Sequence, residues 1–439
     1  MYYCNILIIC YYFCIINNFA LMFGGSMLAS IKKTYQEFPK AFWNVILGMF
    51  IDNIGGSLLF PFLTLYVTQK FGVSLIDIGW IQVVSTMVNV VGTSIGGALA
   101  DRYGRKTIAL IGLFGSALIT LPLGLTNRWE LFILFRLLTS FMGNFAGPAF
   151  NALMADLLPS AKRSQGYAIL RIIGNLSAAI GPFLAGFLVG RSFLPLFIVD
   201  VVLSVATGIF LLFKMPETKP EEASHASQQS LKETFSGYGA VLRDRLFVTL
   251  VFLIVLTMMV YMNYNTTLSV YLNRMHGISA RQFGYLLTLN AVMVVVLQFS
   301  VSRLTAKYKL AHMMFLGTLL YAVGFGMIGL GSTFSFFVLA IVIVTVGEMI
   351  SAPLYQSMAA EFAPIDMRGR YMAFLNISYS FSAAFGPLIA GYGLESSHPQ
   401  WVWFAGGLLC LIAAIGFLGT KMKTMQPEAS PTPKNAGSL

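Results

Sequence analysis

The sequence predicts an all-α membrane protein built as two pseudo-symmetric six-helix bundles. Three observations carry that prediction: twelve apolar blocks, a lopsided distribution of basic residues, and an internal repeat. Hydrophobic residues make up 57% of the 439 residues and charged ones only 10%, whereas soluble domains carry about 25% charged residues. The apolar residues gather into blocks of about 20, the length that crosses roughly 30 Å of hydrocarbon as a helix. These blocks lie at about 42–68, 77–100, 107–126, 130–157, 166–190, 194–214, 245–272, 281–302, 311–331, 334–362, 370–394 and 400–420. They are continuous rather than alternating, which implies helices and not a β-barrel.

The net charge of +11 is topological and does not point to nucleic acid. With the start of span one placed inside, 21 of the 28 Lys and Arg residues fall in inside segments and 5 in outside loops. The remaining two, Arg136 and Arg171, lie within spans. Such a bias sets orientation by the positive-inside rule, so both ends of the twelve-span core are expected in the cytoplasm of a cell-membrane protein. Cys4, Cys10 and Cys14 crowd the start and Cys410 lies in span twelve. No pair has metal spacing or suggests a disulfide framework.

The opening "MYYCNILIICYYFCIINNFALMF" is apolar and uncharged. It lacks the basic n-region of a cleaved signal. Two readings stay open: a thirteenth span, or a natural start at Met27, from which "MLASIKKTYQEFPKAFWNV" leads into span one.

The internal repeat emerges on sliding the chain by 205 residues. "PAFNALMADLLPSAKR" (148–163) then lies over "PLYQSMAAEFAPIDMR" (353–368), and "SAAIGPFLAG" (177–186) over "SAAFGPLIAG" (382–391). Parallel halves with a substrate site near the midplane are a transporter architecture. The polar stretch after span six divides the chain into an N-terminal segment 1–40, a bundle 41–214, a cytosolic linker 215–244, a bundle 245–420 and a tail 421–439.

Between spans two and three runs "GGALADRYGRKTIAL" (96–110). Gly97 permits close helix packing and Gly104 a tight turn. Asp101, with the basic side chains of Arg102, Arg105 and Lys106, can form an ion network closing the cytosolic ends of the two halves, with Asp156 near the end of span four joining it. The second-half counterpart, "SRLTAKYKLA" (302–311), places Ala306 over Asp101, so the lock is expected to be asymmetric. The 96–110 stretch resembles the signature loop of the major facilitator superfamily. The match lies in Gly97, Leu99, Asp101, Arg102, Gly104, Arg105 and Lys106. Gly174, Gly181, Pro182 and Gly186 in span five resemble the glycine-rich motif of the superfamily's drug–proton antiporters. Pro182 removes a helical hydrogen bond and can bend its helix. The repeat carries the same residues at Gly386 and Pro387, so the motif is not unique to span five.

Asp52, Arg136, Arg171, Asp200 and Glu348 are the charged residues inside spans. An ionised acid at mid-bilayer costs roughly 2.5–3.5 kcal/mol or more, so each needs a partner, a proton or a water-filled cavity. Asp52 and Arg136 can be a structural pair. In the resemblance, Asp52 matches an acid of the first span of drug exporters and Arg136 a buried arginine of span four, although Thr139-Ser140 replaces the Gln-Gly that often follows. Spans seven to twelve contain no lysine or arginine beyond their ends, so Glu348 lacks a cation in its own half and reads as the proton carrier. Substrate contacts are expected from Tyr261, Asn263, Tyr264 and Asn265 of span seven and from Asn376 and Tyr379 of span eleven. An aromatic and amide lining suits amphipathic organic molecules.

No phosphate-binding loop, nucleophile triad or metal spacing is present, so neither an enzyme nor a cofactor is expected. The resemblance covers about residues 40–420 and implies a twelve-helix major-facilitator fold working by alternating access as a monomer. Its substrates would be small molecules and protons, exchanged across the lipid bilayer. The reading is proton-coupled efflux of drug-like compounds; the alternative is transport of a metabolite such as a sugar or amino acid, with or without proton coupling. If Met27 is the natural start, deleting residues 1–26 leaves membrane expression and transport intact; loss of insertion, read by membrane fractionation, marks a thirteenth span instead.

Overall fold

The computed structural model describes residues 35–189, 192–218, 239, 241–364 and 367–420. The opening apolar segment, most of the linker and the tail lie outside these residues. Among the described residues, twelve helices are long and apolar enough to cross a membrane, which makes the chain a multi-pass membrane protein. Spans one to six are Lys40–Phe71, Leu75–Tyr103, Arg105–Leu125, Trp129–Leu157, Ser160–Leu188 and Leu194–Lys214. Span seven starts at Arg245; spans eight to twelve are Ala280–Thr305, Leu310–Leu330, Phe334–Phe362, Arg368–Leu394 and Trp401–Gly419.

Two spans are broken where the apolar pattern predicted continuous helices. Span four changes to a 3-10 turn at Gly143–Phe145 before resuming at Ala146. Pro148 explains the change, because its ring crowds the carbonyl of residue 144 and it has no N–H to donate. Span seven stops at Tyr264 and restarts as Leu268–His276. Here the Asn263 side chain competes for backbone partners: its Nδ2 donates to the Met259 carbonyl at 2.8 Å, and its Oδ1 accepts from the Thr267 hydroxyl at 2.9 Å.

Span one packs on spans five and six, span three on four and six, and span two on four. In the second half, span seven packs on eleven and twelve, nine on ten and twelve, and eight on ten. Between halves, span two meets eleven and span five meets eight. The 205-residue repeat carries span two onto eight and five onto eleven, so the two interfaces are copies of one contact. Glycines set how closely they approach. A Cβ on Gly79 would lie 2.6 Å from the Leu388 Cα, and one on Gly284 would lie 2.8 Å from the Gly186 Cα.

These interface contacts gather at the end of the bundle away from the basic loops. There the Leu75 N–H donates to Glu395 Oε1 at 2.9 Å, Arg274 pairs with the same oxygen at 3.1 Å, and Gln69 donates to Asn273 at 3.1 Å. The buried cluster reaching that end joins Phe62, Leu75 and Val189 of the first half to Phe283 and Leu287 of the second. Near the basic end, the cluster around Phe42, Ala109, Phe150 and Leu211 is made of first-half residues. The buried contacts across the halves therefore concentrate at one end, while Arg171 of span five also bonds to Gln356 of span ten.

In the signature loop the close approach belongs to the neighbour of the expected glycine. A Cβ on Gly96 would stand 2.7 Å from the Phe145 Cα, whereas one on Gly97 would meet Pro148 Cβ at 3.6 Å, an ordinary contact. Gly96→Val is expected to cost about 1–3 kcal/mol through overpacking, read as a lower melting temperature in detergent, while Gly97→Ala stays within a degree or two of wild type. Equal melting temperatures for the two variants would contradict this packing.

Candidate functional site

The first half lines an open cavity of about 520 Å³. Asp52 and Ser57 reach it from span one, Asp200 and Ser204 from span six, and Pro182 from span five. Asn265 comes from span seven, so one wall belongs to the other half. Asp52 Oδ1 accepts a 2.7 Å hydrogen bond from the Ser204 hydroxyl. Ser204 follows Asp200 by four residues, which puts both on one helix face. Asp200 is buried, with 9% of its surface exposed.

The anticipated Asp52–Arg136 pair is not formed. Arg136 donates to the Ser140 hydroxyl at 3.0 Å on its own helix and lines a separate water-sized space beside Gln82 and Thr266. Among the described residues no carboxylate lies within ion-pair distance of it; the ion pairs are Arg105 with Asp101 and Asp156, Arg128 with Glu130, and Arg274 with Glu395. Arg171 reaches across the halves to donate to Gln356. The arginines in the spans are thus met by neutral oxygens.

Glu348 forms the second acidic centre. Its Oε1 accepts from the Tyr261 hydroxyl at 2.8 Å and its Oε2 from Asn290 Nδ2 at 2.7 Å, and Asn290 also donates to Thr345 at 3.0 Å. Tyr264 and Tyr321 flank Tyr261 with ring centroids 6.0 and 5.7 Å away. Their hydroxyls are buried and have no hydrogen-bond partner among the described residues. This leaves two donors next to a carboxyl held by neutral groups. Such donors stabilise an ionised carboxyl, and the tyrosine oxygen can also accept from a protonated one.

The six residues expected to touch substrate separate into different environments. Asn265 lines the first-half cavity. Tyr261 and Tyr264 belong to the Glu348 centre. Asn263 is committed to the break in span seven, where it also donates to the Gly386 carbonyl at 3.4 Å. Asn376 is exposed and Tyr379 half-buried. The sequence reading did not single out Asn290. A lone amide in the apolar run "LTLNAVMVVV" was the available signal, since an amide in a span needs a partner on another helix. Gln298, two turns further on, likewise donates to the Met349 carbonyl at 2.9 Å.

In the loop after span two, Arg105 bonds to Asp156 and donates to the Thr218 carbonyl at 2.8 Å, while Asp101 stays 3.9 Å from Arg105 and largely exposed. The Arg105 N–H donates to Glu217 at 2.8 Å. Gly104 is needed for that approach: its φ is 103°, and a Cβ would fall 2.6 Å from the Glu217 carboxylate. Arg102 lies over the Tyr103 ring at 5.2 Å, and Lys106 is half-buried, its N–H 3.4 Å from Glu217. These bonds tie together spans two, three and four and the start of the linker, all on the first-half side. In span five, Gly174 has open space around it, whereas a Cβ on Gly181 would run into Ser57 and Leu58 of span one. The helix continues through Pro182, and Gly186 faces Gly284 across the halves.

Among the described residues, no group of three His, Cys, Asp or Glu side chains is placed to hold a metal ion. Residues 45–276 and 250–438 match the family model described as Major Facilitator Superfamily. The chain is 26% identical over 394 residues to the "Na(+), Li(+), K(+)/H(+) antiporter" of Planococcus maritimus, covering 84% of this chain and 91% of that protein. It is 23% identical to the multidrug resistance protein MdtH of Klebsiella pneumoniae, covering 85% and 89% respectively. The crystal structure of the nucleoside transporter NupG superposes with a TM-score of 0.72 at 14% identity, over 88% of this chain and all of that one.

Proposed function

The chain belongs to the Major Facilitator Superfamily, and as a secondary transporter of small solutes across the membrane we propose that it exports amphipathic, drug-like compounds in exchange for protons. The observation carrying this reading is Glu348: a carboxyl inside a span, held by Tyr261 and Asn290, with no cation within ion-pair distance among the described residues. Such a group can take a proton in one conformation and yield it in another. Asp52, held by Ser204 among the described residues, serves as a second exchangeable site in the other half. The antiporter named in one relative and the multidrug resistance protein named in another support the exchange and the substrate class respectively.

The positive-inside bias assigns the basic end to the cytosol. The buried contacts between halves then lie on the outer side. The exposed and only loosely paired Asp101 fits that state: its loop is tied to the first half and available to lock the second when the inside closes. Alternating access follows from moving one bundle against the other around the fixed site.

Two outcomes are expected. Asp101→Asn folds and reaches the membrane, yet loses most transport, and cysteine-labelling rates show it resting with the cytosolic end open; full transport by a well-expressed variant contradicts the lock. Glu348→Gln keeps substrate binding and downhill exchange but abolishes uphill accumulation driven by an imposed pH gradient in proteoliposomes. Uphill transport with unchanged pH dependence in that variant makes Glu348 structural and removes the basis for proton coupling.

A further inference from the structure

Arg136 takes no part in the proton exchange proposed at Glu348 and Asp52. A guanidinium keeps its charge in a protein, so it cannot shed that charge on leaving water as a carboxyl can. Charge taken out of water without a counter-charge is costly. Among the described residues no carboxylate lies within ion-pair distance of Arg136, and the Ser140 hydroxyl accepts from only one of its nitrogens. The guanidinium borders a space of about 30 Å³ together with Thr64 of span one, Gln82 of span two and Thr266 from the break in span seven. Among the described residues the Thr64 hydroxyl and the Gln82 amide make no hydrogen bond, so both have donors left to give. The Thr266 hydroxyl is committed to the Met262 carbonyl at 2.8 Å and closes the wall without donating. Phe60 and Phe132 supply apolar walls.

We propose that this space is a halide site, with chloride as the counter-ion of Arg136. The sign of the ligand follows from the lining: one fixed cation, two neutral groups with free donors and no acid. The size sets its class. A water molecule needs about 10–15 Å³ of free cavity, so about 30 Å³ admits a single monatomic anion and excludes phosphate, sulfate or a carboxylated metabolite. Away from bulk water the attraction between guanidinium and anion is several times stronger. A second space of about 20 Å³ shares Thr64, Gln82 and Thr266 and reaches Thr267 and Pro387. The site therefore lies against spans seven and eleven as well as one, two and four. A halide held here touches both halves, so it binds this arrangement of them more tightly than one in which span seven has moved off. Such a counter-ion is resident rather than cargo, and it is independent of the solute carried.

The test uses the full-length protein in nanodiscs at constant ionic strength, with gluconate exchanged for chloride or bromide. The readouts are the melting temperature and the excess NMR line width of chloride. In the wild type both are expected to saturate with halide concentration, and bromide is expected to narrow the chloride line by competition. Arg136→Met is expected to lose both responses. Thr64→Val and Gln82→Leu keep the charge, and each should raise the half-saturating chloride concentration roughly tenfold, the loss of one hydrogen bond to an ion. Should Arg136→Met fail to fold, these two variants still decide the matter.

Three results would overturn the site: no saturable halide response in the wild type, an equal response to sulfate at the same ionic strength, or unchanged half-saturation in both Thr64→Val and Gln82→Leu. A full halide response in folded Arg136→Met would overturn it as well. None of these results touches proton coupling at Glu348, which is read from pH-driven flux.

Discussion

A carboxyl group inside a membrane-spanning bundle persists only where something meets it, and the polar interior of this protein follows from how each is met. Asp52 has a serine, Glu348 has a phenol and an amide, and Asp200 has an open cavity. The arginines could have neutralised them but are turned elsewhere, Arg136 to Ser140 and Arg171 to Gln356. Pairing acid with arginine would have given a self-contained interior with no need of an ion from outside. Keeping them apart leaves each half with an acidic centre met by neutral groups or open space, and in the proposed function an exchanging proton completes its charge. Ionisable groups kept inside spans are costly and accordingly mark pathways.

The second constraint is that two halves must meet closely and still part. Small residues permit both, since they bring backbones together without interlocking side chains. Gly79 against Leu388 and Gly284 against Gly186 provide that contact at one end of the bundle. The Leu75 N–H, one of the unpaired donors at the start of span two, is satisfied by Glu395 of the other half. Closure at this end therefore completes a hydrogen bond that each half alone would leave to water. At the other end, the loop after span two is fastened to its own half through Arg105, Asp156 and Thr218. Asp101 in that loop stays exposed and only loosely paired with Arg105, and the proposed lock assigns it the contact to the second half.

The fold was legible in the sequence because hydrocarbon thickness and backbone hydrogen bonding leave few options. The twelve blocks became twelve spans. The 205-residue repeat reappears in the packing inside each half, with Gly181 against span one and Gly386 against span seven in equivalent places. What the pattern could not show was where a span breaks. Pro148 and Asn263 act on the backbone locally, and a hydropathy window averages over them. The acids were legible by residue type alone, but their partners were not. Asn290 lies 58 residues from Glu348, and only helix packing brings them together. The same limit explains why the amides and tyrosines of span seven, grouped by sequence as one substrate surface, divide between a helix break, the Glu348 centre and the cavity: residues one or two apart on a helix face different directions.

The central claim is that the buried acids exchange protons for substrate, and the most direct measurement is proton release on binding. Purified protein in a weakly buffered solution, mixed with tetraphenylphosphonium and followed with a pH-sensitive dye, reports whether binding displaces protons. The account predicts release that saturates with the binding curve and falls when Glu348 is replaced by glutamine. Saturable binding with no proton released by the wild type would contradict it.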